Sequence, residues 1–171
     1  MADYVMNVLQ IESDDANFIN RFKYAFTSPT KDEKASFLDF EKILPEPAEL
    51  RLAQHPGAMD SNLYEWRCKN WGTKWNSWND YNITGEDNQI FFTTAWNPPV
   101  PIIEKLSSLC PGVQLTLFSV READEVAFIV TFLNGEKVLT TMYDKPSVGD
   151  RMVELVTGKE TDTSKLFDKV E

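Results

Sequence analysis

Residues 126–143 read VAFIVTFLNGEKVLTTMY, the most regular stretch of the chain. Large apolar side chains recur at every second position in its first half, which is the period of a β-strand. The pair Asn134-Gly135 follows, and it favours a two-residue hairpin turn because both residue types tolerate positive φ angles. The stretch therefore predicts two strands joined by a tight turn.

The N-terminal residues predict a strand followed by a helix. Apolar side chains alternate with others from Val5 to Ile11, and the short polar side chains at 13–15 can accept the free N–H groups of a helix start. Aromatic residues between positions 18 and 26 recur at helical spacing, so one face of this helix is expected to pack on the strand.

The middle of the chain predicts a second hairpin, a helix and a further strand. Residues 81–84 and 89–96 flank the polar run 85–88, which suits a hairpin turn. Prolines precede an apolar helix at 102–109, and residues 115–120 follow as a strand. This order favours an α+β fold, the β-α-β-β-α-β core of a ferredoxin-like sandwich with an extra C-terminal hairpin and insertions.

Length and composition indicate one domain with an extension. The chain has 171 residues, of which 42% are hydrophobic, and this is enough to bury a core. We interpret residues 1–143 as the ferredoxin-like domain, with an insertion at about 28–77. Residues 144–171 change in character and are interpreted as an acidic C-terminal extension.

The charge balance limits the partners that the protein is expected to bind. There are 17 Lys and Arg against 27 Asp and Glu, which gives a net charge of -10 at pH 7. Such a surface repels phosphates, so neither direct nucleic-acid binding nor membrane association is expected. No basic N-terminal segment precedes an apolar run, which favours a cytoplasmic location. The sequence leaves the oligomeric state open.

The residue types predict no catalytic residue, metal or cofactor. The one histidine, His55, lies in the turn-like run 54–57, and a nucleophilic triad has no other candidate base. One histidine with Cys68 and Cys110 cannot fill the usual zinc ligand set, and no glycine-rich phosphate loop occurs. Cys68, beside two cationic residues, is the alternative as a thiol nucleophile, although no base is evident.

The tryptophans carry the strongest functional signal, because all five lie within residues 66–96. Two interpretations stay open. The rings can fill the junction between a helix and a hairpin, with Trp71 and Trp75 turned inward at Gly72. They can also form a binding patch, because Trp mixed with Asn and Lys is typical of binding hot spots. The candidate binding residues are Asn70, Trp71, Lys74, Trp75, Trp78, Trp96 and Asn97.

Four segments resemble a known family. CKNWGTKW at 68–75 and FTTAWNPPVPII at 92–103 are similar to the YubB-like family of ferredoxin-like domains, as are FEKILPEPAEL at 40–50 and NVLQI at 7–11. The resemblance covers roughly residues 3–140. It implies a ferredoxin-like fold and an origin in phages, plasmids or other mobile elements. It implies no established activity, no catalytic residue and no iron–sulfur cluster.

These observations favour a non-enzymatic binding protein of a phage or mobile element that acts on a host protein in the host cytoplasm. Inhibition of host defence or of nucleic-acid-handling machinery, by acidic mimicry of nucleic acid, is one form of this hypothesis. The alternative is a small-molecule-binding or catalytic domain with a pocket at the Trp-Asn-Lys cluster, where Lys74 holds an anionic ligand. A third hypothesis is single-strand binding by base stacking on the tryptophans.

Overall fold

The computed structural model describes residues 3–53, 61–121, 126–144 and 154. The turn predicted at His55 and nearly all of the extension at 144–171 lie outside these residues. Along the chain the elements are β1 (Tyr4–Glu12), α1 (Ala16–Phe26), β2 (Thr27–Pro29), β3 (Ser36–Leu38), α2 (Phe40–Ile43), α3 (Ala48–Leu52), α4 (Ser61–Asn70), β4 (Gln89–Ala95), α5 (Val100–Leu109), β5 (Gln114–Arg121), β6 (Val126–Leu133) and β7 (Glu136–Asp144).

The larger sheet has five strands in the order β4-β1-β5-β6-β7, and every neighbouring pair is antiparallel. The hairpin predicted at 126–143 is confirmed as β6 and β7. Its two turn residues have positive φ angles, 53° at Asn134 and 80° at Gly135, as the predicted turn requires. A register shift between Thr131 and Phe132 interrupts the pairing of the two strands.

The strand predicted at 81–84 is wrong, and β4 has no hairpin partner there. Trp78 instead forms an isolated bridge with Thr93, with N–H to carbonyl distances of 3.2 and 2.7 Å. The cause is Asn79, whose side-chain amide donates to the Ile83 carbonyl at 3.0 Å and accepts from the Ile83 N–H at 3.2 Å. These local hydrogen bonds close the loop on itself and leave no extended segment to pair with β4.

The architecture is α+β, as predicted. Its elements begin in the order β-α-β-β-α, but β2 and β3 form a two-stranded sheet of their own. The ferredoxin-like arrangement therefore stays a prediction. No helix in the described part of the chain is long and apolar enough to cross a membrane.

The main core lies between one face of the larger sheet and the helices α1, α2 and α5. Phe22 of α1, Phe40 of α2 and Ile102 of α5 are buried there, together with Trp71, which follows α4. The opposite face of the sheet carries a second buried cluster that includes Val8 and its cross-strand neighbours in β4 and β5. Both faces of the central strands are therefore buried, which makes the sheet a rigid base for the loops at its ends.

The buried Glu46 carboxylate connects helix α3 to helix α4, on which the tryptophan segment (residues 66–96) begins. The Glu46 side chain is 6% exposed and accepts from Arg67 Nε of α4 at 2.5 Å. Arg51 Nε of α3 lies 3.4 Å from the other Glu46 oxygen. Because the carboxylate is paired on both oxygens, it holds α4 in the position from which Trp71 enters the core.

Candidate functional site

Trp71 anchors the tryptophan segment to the core. Its side chain is 1% exposed, and its Nε1 donates to the Leu44 carbonyl at 2.9 Å. Its ring lies 5.8 Å from that of Phe40 and 5.6 Å from that of Trp66, measured between centroids. Asn70, the last residue of α4, donates to the Trp66 carbonyl at 2.9 Å. Trp71 thus supports the segment from inside and presents no surface to a partner.

Gly72 turns the chain out of the core immediately after Trp71. Its φ angle is 82°, and a Cβ at this position would lie 2.5 Å from Pro101 Cδ, so only glycine fits without a shift. The buried Thr73 hydroxyl then donates to the Trp75 carbonyl at 2.7 Å and closes the turn. The prediction that Trp71 and Trp75 both turn inward is confirmed for Trp71 only, because Trp75 is half-buried on the outer side of this turn.

Five aromatic side chains form a continuous surface feature, which we call the aromatic row: Tyr64, Trp96, Trp75, Trp78 and Tyr4. Ring centroids are 6.4 Å apart for Tyr64 and Trp96, and 6.3 Å apart for Trp75 and Trp78. Tyr4 meets Trp78 edge-on at 5.3 Å. Tyr4 is 42% exposed, and the other four residues are half-buried. Each ring is fixed by a neighbour while part of its surface stays in contact with solvent.

Lys74 joins the two halves of the aromatic row. Its Nζ lies 4.6 Å from the Trp96 ring centroid and 4.8 Å from that of Trp75. Both distances are within the range of cation–π attraction. Within the ranges that the structure describes, no carboxylate lies within 4.0 Å of this ammonium. The row therefore has one cation at its centre, held between two indoles.

The aromatic row sits on the ends of two paired strands. Tyr4 is opposite Ala95 in the β1–β4 pairing, and Trp78 is bridged to β4. Trp96 follows β4 with a φ angle of 68°, and its N–H donates to the Asp3 carbonyl at 2.7 Å. The left-handed backbone at a bulky residue is unusual and is maintained here by the strand pairing around it.

A buried polar network links β5, β1 and β4 to the residue that follows Trp96. Ser119 of β5 donates to Asn7 Oδ1 at 2.7 Å, and Asn7 Nδ2 donates to the Thr94 hydroxyl at 3.0 Å. That hydroxyl donates to the Asn97 carbonyl at 2.9 Å. The three strands β5, β1 and β4 are thereby linked to the residue after Trp96. Asn97 itself is exposed at the edge of the row.

The structure thus brings together Lys74, Trp75, Trp78 and Trp96 and places Asn97 beside them, while Trp71 lies in the core. Tyr4 and Tyr64 are not among the binding residues predicted from the sequence. Tyr4 precedes a predicted strand by one residue, but its approach to Trp78 depends on pairing with β4. Tyr64 lies on α4 four residues before Cys68, and no local pattern relates it to Trp96.

The pKa values of two groups are raised, that of Tyr64 in the aromatic row and that of Cys110 at the C-terminal end of α5. A hydrogen bond with the Cys68 side chain, followed by burial, raises the pKa of the Tyr64 hydroxyl, so this tyrosine stays neutral. Burial raises the pKa of the Cys110 thiol. In the described part of the chain, no three His, Cys, Asp or Glu side chains are grouped as metal ligands. The arrangement offers contact surface and one cation, which is the chemistry of binding.

A solved structure with a similar chain path is protein api92 from Yersinia pseudotuberculosis, of the family model DUF1281. The match has a TM-score of 0.49 and 15% sequence identity, and it covers 63% of this chain and 40% of that chain. The match thus spans less than half the length of that protein. No family model matches the chain, and no curated protein does.

Proposed function

We propose that the protein is a non-enzymatic binding protein that holds a partner protein on the aromatic row. The observation that carries this proposal is the Lys74 ammonium between the Trp75 and Trp96 rings, at the centre of a row of partly exposed aromatic side chains. Large aromatic residues dominate the energetics of protein interfaces because each buries much apolar area and loses few rotamers on binding.

The rigidity of the aromatic row supports the same function. Each ring contacts a neighbouring ring in its half of the row, and Tyr4, Trp78 and Trp96 are attached to the paired strands β1 and β4. A preorganised surface loses little conformational entropy on binding, so more of the contact energy appears as affinity. Lys74 at its centre has no carboxylate partner among the described residues, which favours a partner that brings an acceptor or an acidic group to this point.

The net charge suggests a second contact between the protein and its partner. With a charge of -10, the surface outside the aromatic row attracts a basic protein, and a nucleic-acid-handling protein of the host fits this description. Acidic mimicry of nucleic acid, an origin in a phage or mobile element and action in the host cytoplasm are parts of the proposal that rest on the charge and the family resemblance. The proposal that the fold is ferredoxin-like rests on the same family resemblance.

The alternative function is capture of a small anionic ligand by Lys74. It is favoured by the same ammonium, which has no carboxylate partner among the described residues. An anion on Lys74 would rest between two indole rings, and those rings would exclude water from the ion pair. Native mass spectrometry of the protein isolated from its source separates the two functions, because a retained anion of small mass supports this alternative.

The main proposal is tested by capture from host lysate, followed by affinity measurement with the captured protein. Trp96→Ala and Lys74→Ala are compared with Tyr24→Ala, a matched aromatic truncation on α1, where Tyr24 is 88% exposed. Circular dichroism first verifies that each variant is folded. We expect Trp96→Ala and Lys74→Ala each to weaken the affinity for the partner by about tenfold or more. Tyr24→Ala should leave this affinity within about twofold of the wild type.

Equal affinity of the wild type, Trp96→Ala and Lys74→Ala would contradict binding on the aromatic row.

The salt dependence of the same affinity then tests acidic mimicry. If charge dominates, raising the salt concentration slows association, and nucleic acid competes for the partner. If burial of the aromatic row dominates, affinity changes little with salt. A labelled oligonucleotide that binds the isolated protein at low salt would instead support single-strand stacking.

A further inference from the structure

A cavity lies on the helix-covered face of the larger sheet, where α5 begins. Its volume is about 330 Å³, and we call it the Arg121 cavity. Phe128 and Val130 of β6 line it, and Val130 also belongs to the main core. Its other lining residues are Asn97, Pro98, Val100, Arg121, Lys137 and Thr140. The volume falls within the range of small-molecule sites, and mainly apolar walls with a few polar groups are their usual lining.

Positive charge is concentrated at the Arg121 cavity. Of the described residues that line it, Arg121 and Lys137 are cationic and none is acidic. Within the part of the chain that the structure describes, no carboxylate lies within 4.0 Å of the Lys137 ammonium. The chain as a whole carries a net charge of -10, so this lining has the opposite sign to its surroundings. A concave site with charges of one sign concentrates ligands of the opposite sign.

The strand pairing places these two cations on either side of the apolar lining. Arg121 at the end of β5 is opposite Val126, and Lys137 near the start of β7 is opposite Phe132. The two apolar lining residues of β6 lie between these positions in the strand. A ligand that lies along them therefore has a cation toward each end.

The Arg121 guanidinium is held at the cavity by an aromatic ring. Its Cζ lies 6.0 Å from the centroid of the Phe128 ring, at the limit of cation–π attraction. Both side chains are half-buried, so the guanidinium still has surface that a ligand can reach. A guanidinium has five N–H donors in one plane, so it can bind a carboxylate through two of them and keep its other contacts. Lys137 is exposed and contributes charge without a fixed direction.

The apolar lining and the charge together define the ligand. A small inorganic anion would leave Phe128, Val130 and Pro98 uncovered, whereas an apolar ring or chain gains free energy by covering them. A phosphate group carries nearly two negative charges at neutral pH, and the net charge of -10 disfavours it more strongly than a single carboxylate. The carboxylate also matches the planar geometry of the guanidinium.

We propose that the Arg121 cavity binds a small monocarboxylic acid with an apolar body, whose carboxylate pairs with Arg121 and whose body covers Val130 and Pro98. This function goes beyond the binding of a partner protein on the aromatic row and requires no partner. It is also separate from anion capture at Lys74, which does not line the cavity. Asn97, beside the aromatic row, lines the cavity as well, so the two sites are neighbours.

The proposal is tested with cinnamate, its neutral amide cinnamamide, and acetate. Cinnamate and cinnamamide have the same ring and length but differ in charge, and acetate keeps the charge without the apolar body. Amide resonances of the protein, assigned by NMR, report where each probe binds. We expect cinnamate to shift the resonances of Phe128, Val130 and Thr140 with a Kd near or below about 5 mM. Cinnamamide and acetate should each bind at least about tenfold more weakly.

A matched pair of variants identifies the cation. Arg121→Gln removes the guanidinium charge and keeps a polar side chain, and Arg21→Gln makes the same change on α1, where the Arg21 side chain is 74% exposed. Circular dichroism first verifies that both variants are folded. We expect Arg121→Gln to weaken cinnamate binding by about tenfold, to the level of cinnamamide, and Arg21→Gln to leave it within about twofold of the wild type.

Two results with the wild type would overturn the proposal even if Arg121→Gln fails to fold. The first is equal binding of cinnamate and cinnamamide, and the second is the absence of a cinnamate shift at Phe128 and Val130. Cinnamate shifts confined to Lys74 and Trp75 belong to the second result and would support anion capture at Lys74 instead. Unchanged cinnamate affinity in folded Arg121→Gln would overturn the proposal as well.

Discussion

Replacing Trp71 by alanine tests whether the tryptophan segment depends on its buried anchor. The side chain is 1% exposed, and truncation of a buried Trp costs about 3–5 kcal/mol through lost contacts and the cavity that remains. The Leu44 carbonyl also loses the Nε1 donor at 2.9 Å, which adds about 1 kcal/mol. The expected loss of about 4–6 kcal/mol is a large part of the stability of a single domain.

Trp75→Ala is the matched control, because it removes the same side chain from the outer side of the same turn. Trp75 is half-buried, and its main polar contact is the Lys74 ammonium at 4.8 Å from the ring centroid. An exposed cation–π contact is worth about 0.5–1 kcal/mol, and the area lost on truncation is partial. We therefore expect Trp75→Ala to cost about 1–2 kcal/mol.

Urea unfolding followed by far-ultraviolet circular dichroism measures both variants without relying on tryptophan fluorescence. With a slope of about 2 kcal/mol per molar urea, Trp71→Ala should lower the midpoint by about 2–3 M or leave the protein unfolded. Trp75→Ala should lower it by less than about 1 M. If the two variants unfold at the same midpoint, the assignment of Trp71 to the core and of Trp75 to the surface is refuted.

Three further perturbations follow from the structure. Gly72→Ala should cost about 1–2 kcal/mol more than Gly112→Ala in thermal unfolding, because both φ angles are near 80° but only the Cβ at Gly72 would have a neighbour within 4 Å. Asn7→Ala should cost about 2–3 kcal/mol in chemical unfolding, because it leaves the Ser119 hydroxyl without its buried acceptor; a midpoint equal to the wild type would contradict this. Burial raises the pKa of the Cys110 thiol above its ordinary 9.0, so its neutral form stabilises the fold below about pH 9 and this contribution is lost as the pH rises through the folded pKa. Stability measured between about pH 8 and about pH 10 should therefore fall less in Cys110→Ala than in the wild type.

Local sequence patterns correctly predicted the elements whose contacts join residues close together in the chain. The β6–β7 hairpin follows from apolar side chains at every second position and from the turn residues Asn134-Gly135. Helix α1 begins after Asp15, as predicted, where the Asp15 side chain accepts from the Asn17 N–H at 2.9 Å. The strand predicted at 81–84 does not form, because the contacts that shape this segment come from side-chain hydrogen bonds. An extended-looking segment became a closed loop because one side chain, Asn79, formed hydrogen bonds that a pattern of hydrophobicity does not register.

The clustering of the tryptophans was visible in the chain, but their division between core and surface was not. Trp71 and Trp75 have the same side chain and lie on either side of the turn at Gly72. The ring of Trp71 is buried because Phe40 of α2 and Trp66 of α4 pack against it. Trp75 is half-buried and packs against Trp78 and Lys74 instead.

The sequence by itself therefore determined the α+β class, the elements with a regular period and the region in which the tryptophans are concentrated, since these depend on residues close together in the chain. The tertiary structure alone decided that Tyr4 meets Trp78 and that Lys74 lies between Trp75 and Trp96. It also decided that Asn82 Oδ1 is buried with no donor among the described residues. Each of these depends on the pairing of β1 with β4 or on loops closed by side chains from distant positions. Such contacts form only when the whole core packs, because the burial that stabilises them is shared among all its elements.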